Sequence, residues 1–301
     1  MEKMINNIED LINIYYKNIL FLSVPNICNS KCYYCYLKPD FFQKAVLSNT
    51  ILDRINKIVY IAKDIGFNEF RITGGEPLIY ENVSELLSIF NEKSISYTLL
   101  TNGMNIKNNI ELFKENRPKK ITISYHSKKY HNSIFGVKFD TNILDDNIRE
   151  LCKMNINITI SIIMLERNKY DIIPHVYYLR SLGVKSIKLI YPNYKEIKMS
   201  LSDKFIEIIN EINSITGIDV RYSELNLNIC SMINRGFLSF SLSKNILYGC
   251  CNTITNKIFV NSIISYDNIT KILWEFYNAA QAIIDFPCEN YVRFCPIVLN
   301  K

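Results

Sequence analysis

Glycine and proline are scarce in this chain, at 9 and 8 of 301 residues. That composition excludes long disordered linkers, which need such residues in number. No stretch approaches the roughly 20 apolar residues that a bilayer-spanning helix requires. The N-terminus, MEKMINNIEDLINIYYKN, holds acidic residues and no long uninterrupted apolar run, so no secretory signal is read there. Basic residues do not cluster: Lys119–Lys120 and Lys128–Lys129 are isolated pairs, read as solvated loop residues. The net charge of +6 permits an acidic peptide or nucleic-acid partner and requires neither. Internal repeats and low-complexity segments are missing too. A cytoplasmic protein without a membrane span is expected.

Apolar surface and sulfur are what the chain has. Hydrophobic residues make up 48% of it, enough for a sizeable core, and there are 9 cysteines. In a reducing compartment that many thiols favour metal or redox chemistry over a disulfide framework. At about 150 residues per domain, the length allows one large domain or a large one with an appendage.

Apolar runs alternate with amphipathic stretches over the first two-thirds. Strands are expected at 19–24, 70–73, 96–102, 120–125, 156–164 and 186–191, and helices at 51–66, 83–90, 108–116, 143–154 and 172–183. Six strand–helix units in series imply an α/β fold with a parallel sheet, open or closed into a partial (βα)6 barrel. In either form, function gathers at the C-terminal ends of the strands. The pattern changes near residue 200, to a helix at 203–215, short strands within 237–249 and a helix near 269–285. The expected division is an N-terminal segment 1–18, a parallel unit 19–199 and a small α+β C-terminal domain 200–301.

The first strand runs into PNICNSKCYYCYL, which carries Cys28, Cys32 and Cys35 with Tyr34 before the last of them. Three cysteines are odd for disulfides and one short of a closed zinc site. A four-iron cubane held by three thiolates leaves one iron open. A zinc site borrowing a distant Cys or His is the alternative on spacing alone.

The loop resembles the C-x-x-x-C-x-aromatic-C signature of radical S-adenosylmethionine (SAM) enzymes. The resemblance extends to GGEP (Gly74, Gly75, Glu76, Pro77) after the second strand and to the six-unit pattern, over about residues 18 to 195. It implies a partial barrel and a 4Fe-4S cluster on the three cysteines, with SAM chelating the open iron through its amino and carboxylate groups. It also implies an electron donor such as a flavodoxin or ferredoxin, and a 5′-deoxyadenosyl radical that abstracts a substrate hydrogen. Tyr34 is then the candidate to stack on adenine, with a plain exposed aromatic as the alternative. Without Cβ atoms at Gly74 and Gly75, backbone carbonyls can approach the SAM ammonium, and Glu76 adds an acceptor. Asn102 and Ser124, at the ends of the third and fourth strands, match positions that touch the ribose and carboxylate. Asn102–Gly103 is also a plain turn signal, and Ser124 also reads as a strand residue. His126 and His131, in YHSKKYH, are expected as loop histidines with solvated rings, with a proton or hydrogen-bonding role beside the site as the alternative; His175 and Cys152 are expected to be structural.

Five cysteines lie beyond: Cys230, Cys250, Cys251, Cys288 and Cys295. CSMINRGFLSFSLSKNILYGC resembles the start of the auxiliary-cluster domain of peptide-modifying radical SAM enzymes, with Asn245 in the place of a left-handed glycine. The resemblance implies a second 4Fe-4S cluster on Cys230, Cys250, Cys288 and Cys295; buried thiols or a zinc are the alternatives. Adjacent side chains in an extended segment point oppositely, which makes Cys251 a spare thiol if Cys250 is a ligand. Radical SAM peptide epimerases have such a cysteine, which returns a hydrogen to the opposite face of Cα. Core packing, or ligation in place of Cys250, stays open for Cys251.

The expected function is hydrogen abstraction from a ribosomally made precursor peptide, with Cα epimerisation ahead of thioether or carbon–carbon crosslinking. A small-molecule dehydrogenase or cyclase of the same superfamily is the alternative. The molybdopterin-precursor cyclase is disfavoured because the chain ends PIVLNK, without a diglycine tail. The first strand begins near residue 19, leaving little room ahead of the barrel for a leader-binding domain, so substrate would be read by the barrel mouth or a partner protein. A nucleic-acid module is disfavoured by the lack of a basic cluster and the presence of GGEP.

Overall fold

A computed structural model of the chain describes residues 5–35, 37–190, 203–215, 217–222, 238–248 and 266–281. The strands are β1 (Ile19–Ser23), β2 (Ile27–Cys28), β3 (Asp40–Phe41), β4 (Glu69–Thr73), β5 (Ser96–Thr101), β6 (Lys120–Ser124), β7 (Ile158–Ile163), β8 (Ser186–Ile190), β9 (Asp219–Tyr222), β10 (Ser239–Ser241) and β11 (Ile246–Tyr248). Nine of them form one sheet, in the order β11-β10-β1-β4-β5-β6-β7-β8-β9. The run from β1 to β8 is parallel throughout and follows chain order, its six strands joined by five successive crossovers. This is the α/β architecture the alternation implies. β7 is buried at all six positions, because a parallel strand is covered on both faces.

The crossover helices form where apolar spacing and caps agree. Asn49–Asp64 starts at Ser48, whose side chain accepts the Ile51 N–H, and buries Ile55, Ile58, Val59 and Ala62 along one stripe. Thr141–Lys153 is capped by Asp140 and buries Leu144, Ile148 and Leu151. The helix expected at 108–116 is broken into a 3₁₀ turn, Lys107–Asn109, and a single helical turn, Leu112–Glu115. Asn108 and Asn109 compete with the helix for backbone hydrogen bonds there.

Three strands after residue 200 join the same sheet. β9 pairs parallel with β8, β10 pairs parallel with β1, and β11 returns antiparallel on β10. Asn245, between β10 and β11, takes a left-handed φ of 56°. The helix Tyr266–Gln281 lies on the N-terminal segment: the Tyr16 hydroxyl donates to the Leu273 carbonyl at 2.9 Å. Leu11 and Ile12 of that segment are in the main core. The boundary expected near residue 200 falls outside the described residues. No helix among the described residues is long and apolar enough to cross a membrane.

β2 and β3 form a separate two-stranded pair, Ile27 against Asp40 and Cys28 against Phe41. The pair closes the cysteine segment into a loop at the C-terminal end of β1. Strands of two residues leave no periodicity to read.

Candidate active site

The cysteine loop, the GGEP turn and the segments after β5 and β6 meet at the C-terminal ends of the strands. Cys28 is buried, and Cys32 and Cys35 are half-buried; none is in a disulfide. The Cys35 N–H donates to the Cys32 carbonyl at 3.0 Å, which tightens the loop. Ser30 Oγ lies 3.1 Å from Cys28 Sγ and 3.5 Å from Cys32 Sγ. Burial pushes the Cys28 thiol up and the Cys32 thiol up to about 11, and the neighbouring cysteines oppose ionisation further. Iron held there would relieve that opposition, because it binds the thiolate. Among the described residues no three His, Cys, Asp or Glu side chains are grouped to hold one ion.

The helix His131–Phe135 clamps the loop from outside. Lys31 N–H donates to the Phe135 carbonyl at 2.8 Å. A Cβ on Gly136 would stand 2.4 Å from the Lys31 carbonyl oxygen, and its φ of 68° also demands glycine.

The GGEP turn explains its own glycines. A Cβ on Gly74 would meet the Val24 carbonyl oxygen at 2.6 Å, and one on Gly75 the Ile27 carbonyl oxygen at 2.0 Å. On the side where a Cβ would stand, both glycines face backbone of the segment that runs from β1 into the cysteine loop. Glu76 N–H donates to Ile27 O at 2.8 Å, fixing the two loops together. Pro77 opens a 3₁₀ turn, Pro77–Ile79, for which Glu76 is the N-cap.

Glu76 itself is 2% exposed. Its Oε1 accepts from Leu78 N at 3.0 Å and Thr101 Oγ1 at 2.6 Å, and its Oε2 from Asn102 N at 2.6 Å. Burial pushes its pKa up to about 7, against the pull of those three donors. The carboxylate thus ties the loop after β4 to the loop after β5. Asn102 continues the network: Nδ2 donates to Asn29 Oδ1 at 2.7 Å and lies 3.9 Å from Cys28 Sγ, while Oδ1 accepts from Met104 N at 3.0 Å. Ser124 is the half-buried last residue of β6, in register with Ser161 of β7. Asn29 and Thr101 escaped the sequence reading. Their signal was adjacency alone, beside Cys28 and Asn102.

The other flank is aromatic. Tyr34 is half-buried, with its hydroxyl 2.6 Å from His126 Nε2 and its ring edge-on to that imidazole. His126 and His131 are 1% and 0% exposed, which corrects the expectation of solvated loop rings. The segment folds inward because Ser127 Oγ accepts from both Lys129 N and Tyr130 N, turning the chain into the helix that carries His131. His126 Nδ1 accepts from Ile163 N at 3.1 Å. His131 stacks on Phe135 at 4.0 Å, and among the described residues neither of its ring nitrogens has a hydrogen-bond partner. Burial pushes His126 well down, His131 down to about 3 and His175 down to about 4. His175 Nε2 donates to the Tyr125 carbonyl at 3.1 Å, and Cys152 packs at the edge of the core. Cys230, Cys250, Cys251, Cys288 and Cys295 lie outside the described residues.

A family model described as the radical SAM superfamily matches residues 22–177, more than half the chain. The chain is 37% identical over 112 residues to the GTP 3′,8-cyclase of Alkaliphilus metalliredigens, covering 36% of this chain and 35% of that protein. It is 28% identical over 203 residues to the GTP 3′,8-cyclase of Clostridium perfringens, covering 64% and 62%. It therefore spans about a third to three-fifths of the length of these curated relatives. Among solved structures, Streptococcus suis SuiB bound to S-adenosylmethionine superposes with a TM-score of 0.69 at 16% identity, over 88% of this chain and 68% of that one. SuiB bound to its precursor peptide SuiA gives 0.69 at 16%, over 86% and 65%. An anSMEcpe structure with AdoMet and the Cp18Cys peptide gives 0.64 at 16%, over 87% and 83%. At such identities the likeness is one of fold.

Proposed function

The chain belongs to the radical SAM superfamily, and from that membership we propose that Cys28, Cys32 and Cys35 hold a 4Fe-4S cluster in an enzyme that takes a hydrogen from a ribosomally made peptide. When bound, the cluster supplies the electron that breaks the sulfonium bond of SAM and releases the 5′-deoxyadenosyl radical that abstracts the substrate hydrogen. The residues of this chain hold and orient. The three thiols supply the ligands. The Gly74–Pro77 turn, braced through Glu76 to Thr101 and Asn102, presents rigid backbone beside them. Asn102 and Ser124 supply polar groups at the strand ends, and Tyr34 forms the aromatic edge. One observation carries the reading: the side chain of Asn102, fixed by Glu76, sits against Cys28, so the β4 and β5 loops and the cysteine loop are one unit.

The peptide substrate is supported by the extent of the likeness. The match to SuiB and anSMEcpe spans 86–88% of this chain, beyond the 22–177 segment, and both include structures with bound peptide. Within that reading we assign Cα epimerisation, with Cys251 returning the hydrogen and Cys230, Cys250, Cys288 and Cys295 holding a second cluster. A flavodoxin or ferredoxin would supply the electron. The second reading, a nucleotide cyclase, is favoured by the curated relatives. Those matches cover 36% and 64% of this chain, against 86–88% for the peptide-bound folds.

The test is anaerobic reconstitution followed by SAM and a strong reductant. About eight irons are expected from two four-iron clusters. 5′-Deoxyadenosine should form, and should not form in the triple Cys28→Ala, Cys32→Ala, Cys35→Ala variant; its formation there refutes the cluster assignment. Short peptides encoded beside the gene are then supplied in deuterated water, with GTP as the parallel substrate. One deuterium at a product α-carbon supports epimerisation. A product two hydrogens lighter means crosslinking, and consumption of GTP selects the cyclase reading.

A further inference from the structure

Cys28 is buried, whereas Cys32 and Cys35 are half-buried and border an open depression with Lys31, Tyr33, Lys38 and Pro39. The Asn102 brace stands against Cys28 on one flank of the loop, and the His126 ring against Tyr34 on the other. The depression is an outward approach to the two remaining thiols. Its surroundings are aromatic. Tyr33 and Phe41 are 46% and 38% exposed. Lys31 Nζ stands 4.3 Å from the centre of the Phe41 ring, and the Arg167 guanidinium 4.7 Å from that of Tyr33. Each exposed ring therefore carries a cation on its face. Arg167 reaches Tyr33 from the 3₁₀ turn Glu166–Asn168 after β7, and also donates to the Ser133 carbonyl at 3.3 Å. Single exposed rings are ordinary on a protein surface; two rings under cations, beside two thiols, make a patch.

The charge on that patch is mostly of one sign. Lys31, Lys38 and Arg167 enter none of the ion pairs among the described residues. Lys44 and Lys169, in the same two segments, are by contrast paired with Glu81 and Glu166. Asp40 is the one acidic residue between Lys31 and Lys44.

We propose that this basic and aromatic rim, Lys31, Tyr33, Lys38, Phe41 and Arg167, is the docking surface for a small acidic electron-carrier protein that delivers the cluster's electron at the Cys32–Cys35 edge. The inference rests on the cluster assignment above and names where its electron donor binds. An electron crosses protein only over short distances, so the carrier has to seat its own redox centre beside the ligating thiols. Basic groups around the approach speed encounter with an acidic partner, and the exposed rings supply the apolar contact of a transient interface. In the step the carrier loses one electron and the cluster gains it, and no bond forms or breaks.

The measurement is 5′-deoxyadenosine formation by the reconstituted chain with SAM, driven either by dithionite or by a limiting amount of a reduced acidic flavodoxin. Lys38→Glu with Arg167→Glu should slow the flavodoxin-driven reaction about tenfold, within the range that electrostatic steering spans, at unchanged dithionite rate and iron content. Lys38→Gln with Arg167→Gln removes the charges without reversing them. It should act in the same direction by less, and it carries the test if the reversed variant does not hold iron. Lys63→Glu with Lys153→Glu is the control. Both residues lie in the last turns of crossover helices, at the opposite end of the sheet, and the change in net charge is the same. Neither rate should move. Added salt should slow the flavodoxin-driven reaction of the unmodified chain more than that of the Lys38→Glu, Arg167→Glu variant. Equal flavodoxin-driven rates in those two proteins overturn the docking surface, as does an unmodified chain that dithionite reduces and flavodoxin does not. A variant slowed equally with both reductants places the rim in binding of substrate or cluster and overturns it too. No 5′-deoxyadenosine from the unmodified chain with either reductant overturns the cluster assignment and the docking surface together.

Discussion

The two flanks of the cysteine loop solve burial in opposite ways. On the β4–β5 side a carboxylate is buried and every bond around it is made: Glu76 takes Leu78 N, Thr101 Oγ1 and Asn102 N. On the β6–β7 side three imidazoles are buried and kept neutral, and His131 has both nitrogens unpartnered among the described residues. The first flank is a rigid polar brace, and displacing one member strands the others. The second is a low-dielectric wall of rings, where a hydrogen bond such as that between His126 and Tyr34 counts for more than it would in water. Position comes from one side and local polarity from the other.

The brace is the easier side to break. Gly75→Ala forces a Cβ onto the Ile27 carbonyl, a backbone atom that cannot move without the cysteine loop. We expect about 3 kcal/mol of lost stability, the upper end for overpacking, and loss of the iron held by the triplet. Thermal denaturation and iron analysis check both; a variant that keeps its iron would show that the loop tolerates displacement. Glu76→Ala leaves three donors without their acceptor and should cost about 2 kcal/mol, with 5′-deoxyadenosine formation falling as Asn102 loses its anchor. An unchanged melting temperature would mean that water replaces the carboxylate.

The histidine flank should respond in the other direction. His131→Phe removes two unpartnered nitrogens and keeps a ring against Phe135. A gain of about 1 kcal/mol near neutral pH is expected. Below pH 6.5 the gain should widen. His131 has a folded pKa of about 3, below its unfolded value, so the unfolded chain takes the proton first and stability drains as pH falls from 6.5 toward 3. His175, at about 4, adds to the same acid limb. Glu76 acts in the opposite sense. Its pKa near 7 lies above the unfolded value, so its contribution is full below about pH 4.3 and is lost as pH rises toward 7. Denaturation curves of His131→Phe and Glu76→Ala between pH 4 and 8 should therefore both depart furthest from the unmodified chain at the acid end, His131→Phe toward higher stability and Glu76→Ala toward lower. Parallel curves would refute the contrast.

Much of this was legible from local pattern. The six strands and most crossover helices follow alternation that survives in any short window, and Cys28, Cys32 and Cys35 lie within one loop. What was not legible is long-range. β9 and the β10–β11 pair extend the two edges of a sheet whose other strands end at residue 190 or earlier, and no feature of DVRY or SFS names its partner. The HxxxxH segment carries the polarity of a loop, and only the Ser127 turn and the room beside Phe135 draw its histidines inward.

By itself the sequence determined the order of elements, the end of the sheet where chemistry gathers and the three thiols on offer, because periodicity and loop spacing are local properties of the chain. Tertiary structure alone decided what Gly75, Glu76 and His126 do. Their partners, Ile27, Asn102, Tyr34 and Ile163, stand 26 to 92 residues away, and only packing brings them into contact. Whether a buried polar group becomes a brace, a donor or an unpaired cost depends on those contacts rather than on the residue type.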